Sequence, residues 1–310
     1  MSNPRRGNFS SYIVEPSLTS EVAPVNTETA SSRVKVAHAS SFPNWLTLYF
    51  HRINLAVPTD TSAETLADIH FAHANAIAYE MLDVFLGIVP SFDMTEISDK
   101  LISGRRGGGC TQMNGLLAVV LESIGFSVRR SLSAVSRENG AMNLSTHMVL
   151  LVRADDEEWI CDVGFGYRGF LYPLRLLHNA QVVQGVHEYR VLRVAELMWG
   201  IQYRRGVQWI NMYVLRDASY EADEFVVGQF FNAYSPLSPF KNNLVCARPS
   251  LQGGRYLVNN VLVSIQDRVR TRRIVRSLWE LVEVLEEYFS IELGVADFVS
   301  LPVDLFDDLR

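Results

Sequence analysis

The periodicity of apolar residues along this chain changes at Gly125, and this change constrains the fold more than any other feature. Before Gly125, apolar residues recur every three or four positions, as they do on one face of a helix. Gly125 itself follows the last of these runs, in the position where a left-handed residue commonly ends a helix. The predicted helices cover residues 44–56, 62–82, 94–103 and 111–123.

After Gly125, apolar and polar residues alternate, which is typical of β-strands with one buried face. Turn-forming residues, such as the ENGAMN cluster at 138–143, separate the alternating runs. The middle section is therefore predicted to form an antiparallel barrel or a curled sheet. Its strands are expected at 126–134, 146–153, 157–163, 189–199 and 207–215. The last third continues with predicted strands at 243–248, 255–258 and 261–265 and an amphipathic helix at 275–289.

The composition is that of a globular protein that does not depend on nucleic acid. Apolar residues make up 48% and charged residues 20% of the 310 residues, which is ordinary for soluble domains. The formal net charge of −6 argues against nucleic acid as the main ligand, because that role needs a basic field. No apolar stretch approaches the roughly 18 residues of a membrane span. Residues 1–43 are polar and lack the apolar core of a signal peptide, which predicts a mostly disordered extension.

The chain contains three cysteines, Cys110, Cys161 and Cys246, and no CxxC pair. An odd number without such a pair is typical neither of a disulfide framework nor of a zinc site. The cysteine usage therefore predicts a cytoplasmic protein that binds no metal.

Cys110 stands out because it follows a glycine run and opens a predicted helix. Residues 103–115 read SGRRGGGCTQMNG. The glycines remove side chains from around the sulfur and give the backbone conformational freedom. A helix N-terminus stabilises a thiolate. The pattern predicts a nucleophilic cysteine, although a single cysteine is also compatible with a buried structural role.

A nucleophilic cysteine needs a base, and the base needs an orienting partner. Among the seven histidines, His147 is the preferred base because it stands at the start of an apolar strand, whereas His70 is expected to pack or to lie at the surface. Asp162 ends the next predicted strand, from which its carboxylate is expected to reach Nδ1 of the imidazole. The GFG turn that follows places Phe165 beside Gly166, where a flat ring would line a small pocket. Each element alone is compatible with a polar strand end or a plain turn, but together they form the hypothesis of a Cys–His–Asp triad.

The motifs around these residues occur together in one known family. The motifs RRGGxCxxxNG, THxVLLV and DVGFG resemble those of the arylamine N-acetyltransferases. The segment AYEMLDV (78–84) is similar to the PFENLDV segment of that family. FVVGQFFNAYSPLSPF (225–240) is similar to the segment that enters its C-terminal domain, and RPSLQGGRY (248–256) also fits. The resemblance covers roughly residues 44–294.

The resemblance implies an α+β fold with a cysteine-proteinase-like core. A helical N-terminal domain, expected at 44–125, would carry the nucleophile. An antiparallel β-barrel domain at 126–224 would carry the histidine and the aspartate. A C-terminal α/β lid at 225–310 would complete the chain, and the polar extension at 1–43 would precede these three parts.

The resemblance also implies a ping-pong transfer of an acetyl group from acetyl-CoA to an aromatic amine or hydrazine. In this scheme Cys110 becomes S-acylated, His147 takes the thiol proton, and Asp162 orients the imidazole and stabilises its cationic form. The implied partners are a small-molecule amine and acyl-CoA, which is a co-substrate and not a permanently bound cofactor. No metal, nucleic acid or membrane is implied. Ser235 and Ser238 are candidates for contacts with CoA, although their segment also fits a plain loop.

Two further expectations concern the surroundings of the nucleophile. Glu80 and Arg105 fall where the family has a structural ion pair, so Arg105 is expected to brace the turn. Without the resemblance, Arg105 and Arg106 would be interpreted as a solvated basic pair. Gly109 stands where the family usually has an aromatic residue. The hypothesis is that Gly109 opens space beside the sulfur and thus joins Phe165 and Gly166 as a substrate-binding position.

Three other functions stay open at this point. Relatives that act as amide synthases join a polyketide thioester to an aromatic amine and close a macrolactam, and an acyl carrier protein would then be a partner. A Cys–His–Asp hydrolase would use water or a peptide in place of the amine. A binding protein on an inactivated acyltransferase scaffold would lack a reactive thiol, and the intact triad motifs argue against it.

Overall fold

The computed structural model describes residues 44–137 and 141–298 of the chain. The predicted extension (1–43), part of the predicted turn cluster (138–143) and the end of the predicted C-terminal segment (225–310) lie outside the described residues. The architecture is α+β, as predicted. A helical region comes first, an antiparallel sheet follows, and a smaller sheet with two helices comes last.

The first region is helical because its apolar residues recur with helical spacing. It contains the helices α1 (Asn44–Arg52), α2 (Ala63–Ala76), α3 (Leu82–Phe85), α4 (Met94–Ser98), a π-helical turn (Asp99–Ser103) and α5 (Cys110–Ser123). Ser62 caps α2, because its side chain accepts a hydrogen bond from the backbone N–H of Thr65. Gly125 has a φ of +103° after the end of α5, which confirms its expected role. No helix within the described ranges is long and apolar enough to cross a membrane.

The predicted helix at 62–82 is wrong in its last part. Helix α2 ends at Ala76, and the strand β1 (Tyr79–Glu80) pairs with a strand from the last third of the chain. Ile77 and Met81 continue the helical spacing of α2, but pairing with the distant strand gives the backbone of β1 other hydrogen-bond partners. Tertiary pairing therefore overrides the local pattern.

The middle section forms one antiparallel sheet of eight strands. Its strands are β2 (Ser127–Ser136), β3 (Met142–Ala154), β4 (Glu157–Cys161), β5 (Leu174–Arg175), β6 (Ala180–Gln184), β7 (His187–Ala195), β8 (Met198–Arg205) and β9 (Gln208–Arg216). Their order is β5-β4-β3-β2-β9-β8-β7-β6, and the edge strands β5 and β6 approach each other. The sheet is therefore a nearly closed barrel. The predicted strand at 189–199 is wrong in one respect, because a tight turn after Ala195 divides it between β7 and β8.

The last third adds a sheet of five strands, in the order β1-β10-β11-β12-β13. Its elements are α6 (Val226–Tyr234), β10 (Val245–Ser250), β11 (Gly253–Val258), β12 (Val261–Gln266), β13 (Val269–Ile274) and α7 (Leu278–Phe289), with 3-10 turns at Ala222–Phe225 and Val295–Phe298. Strand β13 is an edge strand with mostly exposed side chains, so its sequence lacks the alternation that predicts a strand. Strand β1 belongs to this sheet and ties it to the helical region.

Helix α5 lies in the main core and packs against strand β3. Leu117 of α5 and Leu150 of β3 are both 0% exposed and belong to this core. Burial of a leucine side chain contributes about 1.5–3 kcal/mol. The packing therefore fixes the start of α5 relative to the middle of β3.

Candidate active site

Cys110 is the first residue of helix α5. Gly109 before it is extended (φ −73°, ψ 173°) and provides no side-chain cap, so the positive end of the helix dipole is available to stabilise a thiolate. The Cys110 Sγ lies 3.9 Å from the carbonyl oxygen of Thr146. Gly164 packs so closely that an added Cβ would lie 2.6 Å from the Cys110 Cα. Only glycine therefore fits at this position of the turn after β4.

The imidazole of His147 binds Asp162 and lines the same cavity as Cys110. Its Nε2 lies 2.7 Å from Oδ2 of Asp162. The prediction that Asp162 reaches Nδ1 is therefore wrong, because Nε2 takes the carboxylate and Nδ1 is the nitrogen left for Cys110. The ring packs against Phe165 and Tyr213, with centroid distances of 5.7 and 5.4 Å.

The electrostatic environment keeps His147 protonated at neutral pH. Burial alone lowers the pKa of the imidazole, but the charges of Asp162 and Cys110 and the hydrogen bonds to them raise the pKa to about 10. An imidazolium beside a thiol favours the thiolate form of that thiol. The arrangement can therefore hold a thiolate–imidazolium pair.

The carboxylate of Asp162 is fully buried, with 0% exposed. Its Oδ1 accepts hydrogen bonds from Asn114 Nδ2 and from the Gly164 backbone N–H, both at 2.9 Å. These donors offset the cost of burying a charged group. Asn114 also donates to the Met148 carbonyl at 2.7 Å and accepts from the Val163 backbone N–H at 2.9 Å. One amide on α5 thus holds both β3 and the turn that carries Asp162.

His70 holds the backbone of the same turn. Its Nε2 accepts a hydrogen bond from the Asp162 backbone N–H at 3.0 Å, and its Nδ1 lies 2.9 Å from the Leu171 carbonyl oxygen. Burial lowers the pKa of His70 to about 4, so the ring is neutral and donates through Nδ1. The expectation that His70 packs or lies at the surface misses this role. The only signal in the sequence was a histidine on an apolar helix face.

Behind the nucleophile lies a buried ionic cluster of Glu80, Asp83, Lys100 and Arg106, here called the ionic brace. Arg106 Nη2 lies 2.8 Å from Glu80 Oε1 and 2.7 Å from Asp83 Oδ1. Lys100 Nζ lies 2.6 Å from Asp83 Oδ2. Burial alone lowers the pKa of Arg106, but the two carboxylates raise it above its ordinary value. Glu80 therefore has a structural ion pair, with Arg106 as its arginine.

The prediction that Arg105 pairs with Glu80 is wrong. Arg105 has a left-handed backbone with a φ of 46°, and its side chain is 50% exposed and pairs with Glu292 at the surface. The next residue, Arg106, instead enters the interior. A left-handed residue redirects the chain, and this separates the directions of the two neighbouring side chains.

Cys110 and His147 line a cavity of about 460 Å³. Phe165 and Gly166 also line it, while their contact with a substrate stays a prediction. Side chains from both sheets and from the α6 region complete the wall, among them Tyr79, Phe231, Phe240, Val258 and Tyr256. A largely apolar cavity with a few polar groups is typical of sites for small organic molecules.

Gly109 does not line this cavity, and the prediction that it opens space beside the sulfur is wrong. An added Cβ at Gly109 would lie 2.8 Å from the Sδ of Met81. The Met81 side chain, which is 6% exposed, already occupies that space. Met81 stands where the similar family segment has asparagine, so the longer methionine side chain fills space beside the glycine.

The hydroxyl groups of Ser235 and Ser238 are engaged within their own loop. Ser238 Oγ donates to the Asn232 carbonyl at 2.6 Å and accepts from the Phe240 backbone N–H at 3.2 Å. Ser235 Oγ accepts from the Leu237 backbone N–H at 3.2 Å. Neither serine lines the cavity, although Leu237 and Phe240 do. The geometry therefore favours the alternative that this segment is a structural loop.

Across residues 44–137 and 141–298, no group of three or more His, Cys, Asp or Glu side chains is arranged to hold a metal ion.

The sequence has relatives along most of its length. A family profile described as N-acetyltransferase matches residues 62–299. The arylamine N-acetyltransferase / N-hydroxyarylamine O-acetyltransferase of Salmonella typhimurium is 37% identical over 223 residues, which are 70% of this chain and 77% of that protein. The arylamine N-acetyltransferase of Escherichia coli is 32% identical over 252 residues, which are 80% of this chain and 89% of that protein.

Solved structures agree with these relatives. The arylamine N-acetyltransferase from Salmonella typhimurium aligns with a TM-score of 0.79 at 29% identity, over 84% of this chain and 98% of that chain. The Mycobacterium marinum arylamine N-acetyltransferase in complex with CoA aligns with a TM-score of 0.77 at 26% identity, over 84% and 98%. By its motifs, its fold and its relatives, the chain belongs to the arylamine N-acetyltransferase family.

Proposed function

We propose that the protein transfers an acetyl group from acetyl-CoA to an aromatic amine or hydrazine, through an S-acetyl intermediate on Cys110. The observation that carries this proposal is the Cys110–His147–Asp162 arrangement at the wall of an apolar cavity. The names of the relatives from Salmonella typhimurium and Escherichia coli support the acceptor class. The complex of the Mycobacterium marinum relative with CoA supports the donor.

In the first half-reaction, the Cys110 thiolate attacks the carbonyl carbon of the thioester. A carbon–sulfur bond to Cys110 forms, and the carbonyl electrons move onto the oxygen. When the carbonyl re-forms, the bond to the CoA sulfur breaks and the leaving thiolate takes the proton of the His147 imidazolium. Asp162 fixes the ring by its bond to Nε2, so the proton that is passed is the one on Nδ1.

In the second half-reaction, the amine nitrogen attacks the carbonyl carbon of S-acetyl-Cys110. The carbon–nitrogen bond forms, the bond to Sγ breaks, and Cys110 leaves as a thiolate. The neutral imidazole of His147 accepts the surplus proton of the amine, which restores the thiolate–imidazolium pair. The charge of Asp162 again stabilises this cation.

The lining of the cavity supports an aromatic acceptor. The Phe165 ring lines the cavity and packs against both His147 and Tyr213. Flat apolar surfaces favour the stacking or edge contact of another aromatic ring. The cavity is also large enough for a ring together with the acyl group.

We also propose a reducing compartment such as the cytoplasm as the location of the protein. All three cysteines are unpaired in the fold, and the mechanism requires a reduced Cys110. Unpaired thiols persist in the cytosol, where disulfides are rare.

The direct test is intact-mass spectrometry after incubation with acetyl-CoA, followed by addition of an arylamine. We expect an acetyl adduct on the wild type that disappears when the amine is added. The adduct should be absent from Cys110→Ala and present on Cys246→Ala, which removes a buried thiol outside the cavity. An adduct that survives in Cys110→Ala, or no adduct with acetyl-CoA, would contradict the proposal.

The same experiment separates this function from the amide synthase alternative. An amide synthase would acquire an adduct from a long acyl thioester, presented by an acyl carrier protein, and would ignore acetyl-CoA. No contact among the described residues favours that donor. The names of the relatives favour acetyl transfer to arylamines.

A further inference from the structure

Tyr79 is fixed by backbone pairing beside the nucleophile. As part of β1, it pairs with Ala247 of β10 on one side. On the other side it forms a parallel bridge with Gly108, two residues before Cys110. The Glu80 backbone N–H donates to the Gly108 carbonyl at 3.1 Å. The position of Tyr79 relative to Cys110 is therefore set by hydrogen bonds on both sides of its strand.

The Tyr79 side chain lines the same cavity as Cys110 and His147. Its ring meets Phe240 edge-on, with a centroid distance of 6.4 Å. The residue is only partly buried, and its hydroxyl has no hydrogen-bond partner among the described residues. A phenol hydroxyl that lines a largely apolar cavity and has no hydrogen-bond partner in the protein is available to donate a hydrogen bond to a ligand.

The charges around Tyr79 keep this phenol protonated. Burial raises its pKa well above the ordinary value, and the charges of Cys110, Glu80, Asp162 and Cys246 raise it further. The group therefore remains a donor over the whole physiological pH range.

The similar segment of the family, PFENLDV, has phenylalanine at this position, whereas this chain reads AYEMLDV. The aromatic ring at position 79 is thus shared with the family segment, whereas the hydroxyl group of Tyr79 is specific to this chain. Tyr79→Phe restores the family side chain, so this variant is expected to fold.

We propose that the Tyr79 hydroxyl donates a hydrogen bond to the acyl oxygen, both in the donor thioester and in S-acyl-Cys110, as a side-chain member of the oxyanion hole. This inference rests on the proposed function. When sulfur or nitrogen adds to the carbonyl carbon, the electron pair moves onto that oxygen and returns when the tetrahedral intermediate collapses. Tyr79 keeps its proton throughout and stabilises the transient negative charge.

The test compares acylation and alkylation of Cys110 in Tyr79→Phe. Acylation by p-nitrophenyl acetate passes through an oxyanion and releases p-nitrophenolate, which absorbs visible light. Alkylation by iodoacetamide needs the thiolate but forms no oxyanion. We expect Tyr79→Phe to lower the acylation rate constant about 10- to 100-fold and to leave the alkylation rate constant unchanged.

Tyr220→Phe is the matched control, because its ring packs against Phe225 outside the cavity. It should leave both rate constants unchanged. If Tyr79→Phe acylates as fast as the wild type, or if both of its reactions slow equally, the inference is wrong. A wild type that p-nitrophenyl acetate does not acylate would instead overturn the proposed function together with this inference.

Discussion

Two buried clusters in this chain place carboxylates against cations, and they differ in whether the cation can release its proton. In the ionic brace, Glu80 and Asp83 face the cations of Arg106 and Lys100. An arginine does not lose its proton in a protein, so Arg106 gives this cluster a cation that cannot take part in proton transfer. In the proposed triad, Asp162 faces His147, whose pKa is raised to about 10. Similar contacts between carboxylates and cations therefore give a structural support in the ionic brace and a transferable proton on His147.

The largest effect is expected from breaking the triad cluster with Asp162→Asn. The amide keeps the shape of the carboxylate but removes the charge that stabilises the imidazolium. We expect kcat/KM for acetyl transfer to fall about 10³- to 10⁴-fold. The measurement is the steady-state rate with acetyl-CoA and an arylamine. If kcat/KM of the variant lies within tenfold of the wild-type value, the proposed role of Asp162 in acetyl transfer is wrong.

Breaking the ionic brace is expected to affect stability instead. Arg106→Met leaves Glu80 with Lys100 as its cation, at 3.4 Å. The loss of one partner of a buried ion pair costs about 3–5 kcal/mol of unfolding free energy. The neighbouring Arg105→Met is a matched control, because it removes only an exposed pair with Glu292, which is worth up to about 1 kcal/mol. Urea unfolding measures both. Equal losses of unfolding free energy would show that Arg106 does not have the bracing role.

A smaller effect is expected where the brace meets the nucleophile, at the contact of Met81 with Gly109. Gly109→Ala places a Cβ 2.8 Å from the Met81 Sδ, and such overpacking costs about 1–3 kcal/mol. Met81→Ala removes the side chain that the new Cβ would meet. The double variant should therefore lose about 0.5–3 kcal/mol less unfolding free energy than the two single variants lose together. Additive losses in urea unfolding would mean that the two residues do not share this space.

The parts of the molecule that follow local patterns were predictable from the sequence. The alternation at 146–153 and 157–163 predicted β3 and β4, and the glycine run predicted that Cys110 opens a helix. The motifs also predicted that His147 and Asp162 lie in contact, whereas the catalytic role of Cys110, His147 and Asp162 stays a prediction. The division into parts at residues 125 and 224 stays a prediction.

The errors occur where a distant partner decides the outcome. Tyr79 and Glu80 leave the helical pattern because β10, which is far away in the sequence, pairs with them. The choice between Arg105 and Arg106 depends on one left-handed φ angle, which the sequence does not specify for arginine. The space beside Gly109 is filled by Met81, and the role of His70 depends on a strand end remote from its helix.

The central claim is that the triad holds a protonated imidazole beside Cys110, and ¹⁵N NMR of the His147 ring across pH measures this directly. Because the pKa in the folded state is raised from the ordinary 6.5 to about 10, the stabilisation from the protonated ring is complete below pH 6.5. It is lost as the pH rises through about 10. We expect both ring nitrogens to stay protonated through neutral pH and to titrate near pH 10, and Asp162→Asn should lower this midpoint. A midpoint near 6.5 in the wild type would contradict the thiolate–imidazolium pair.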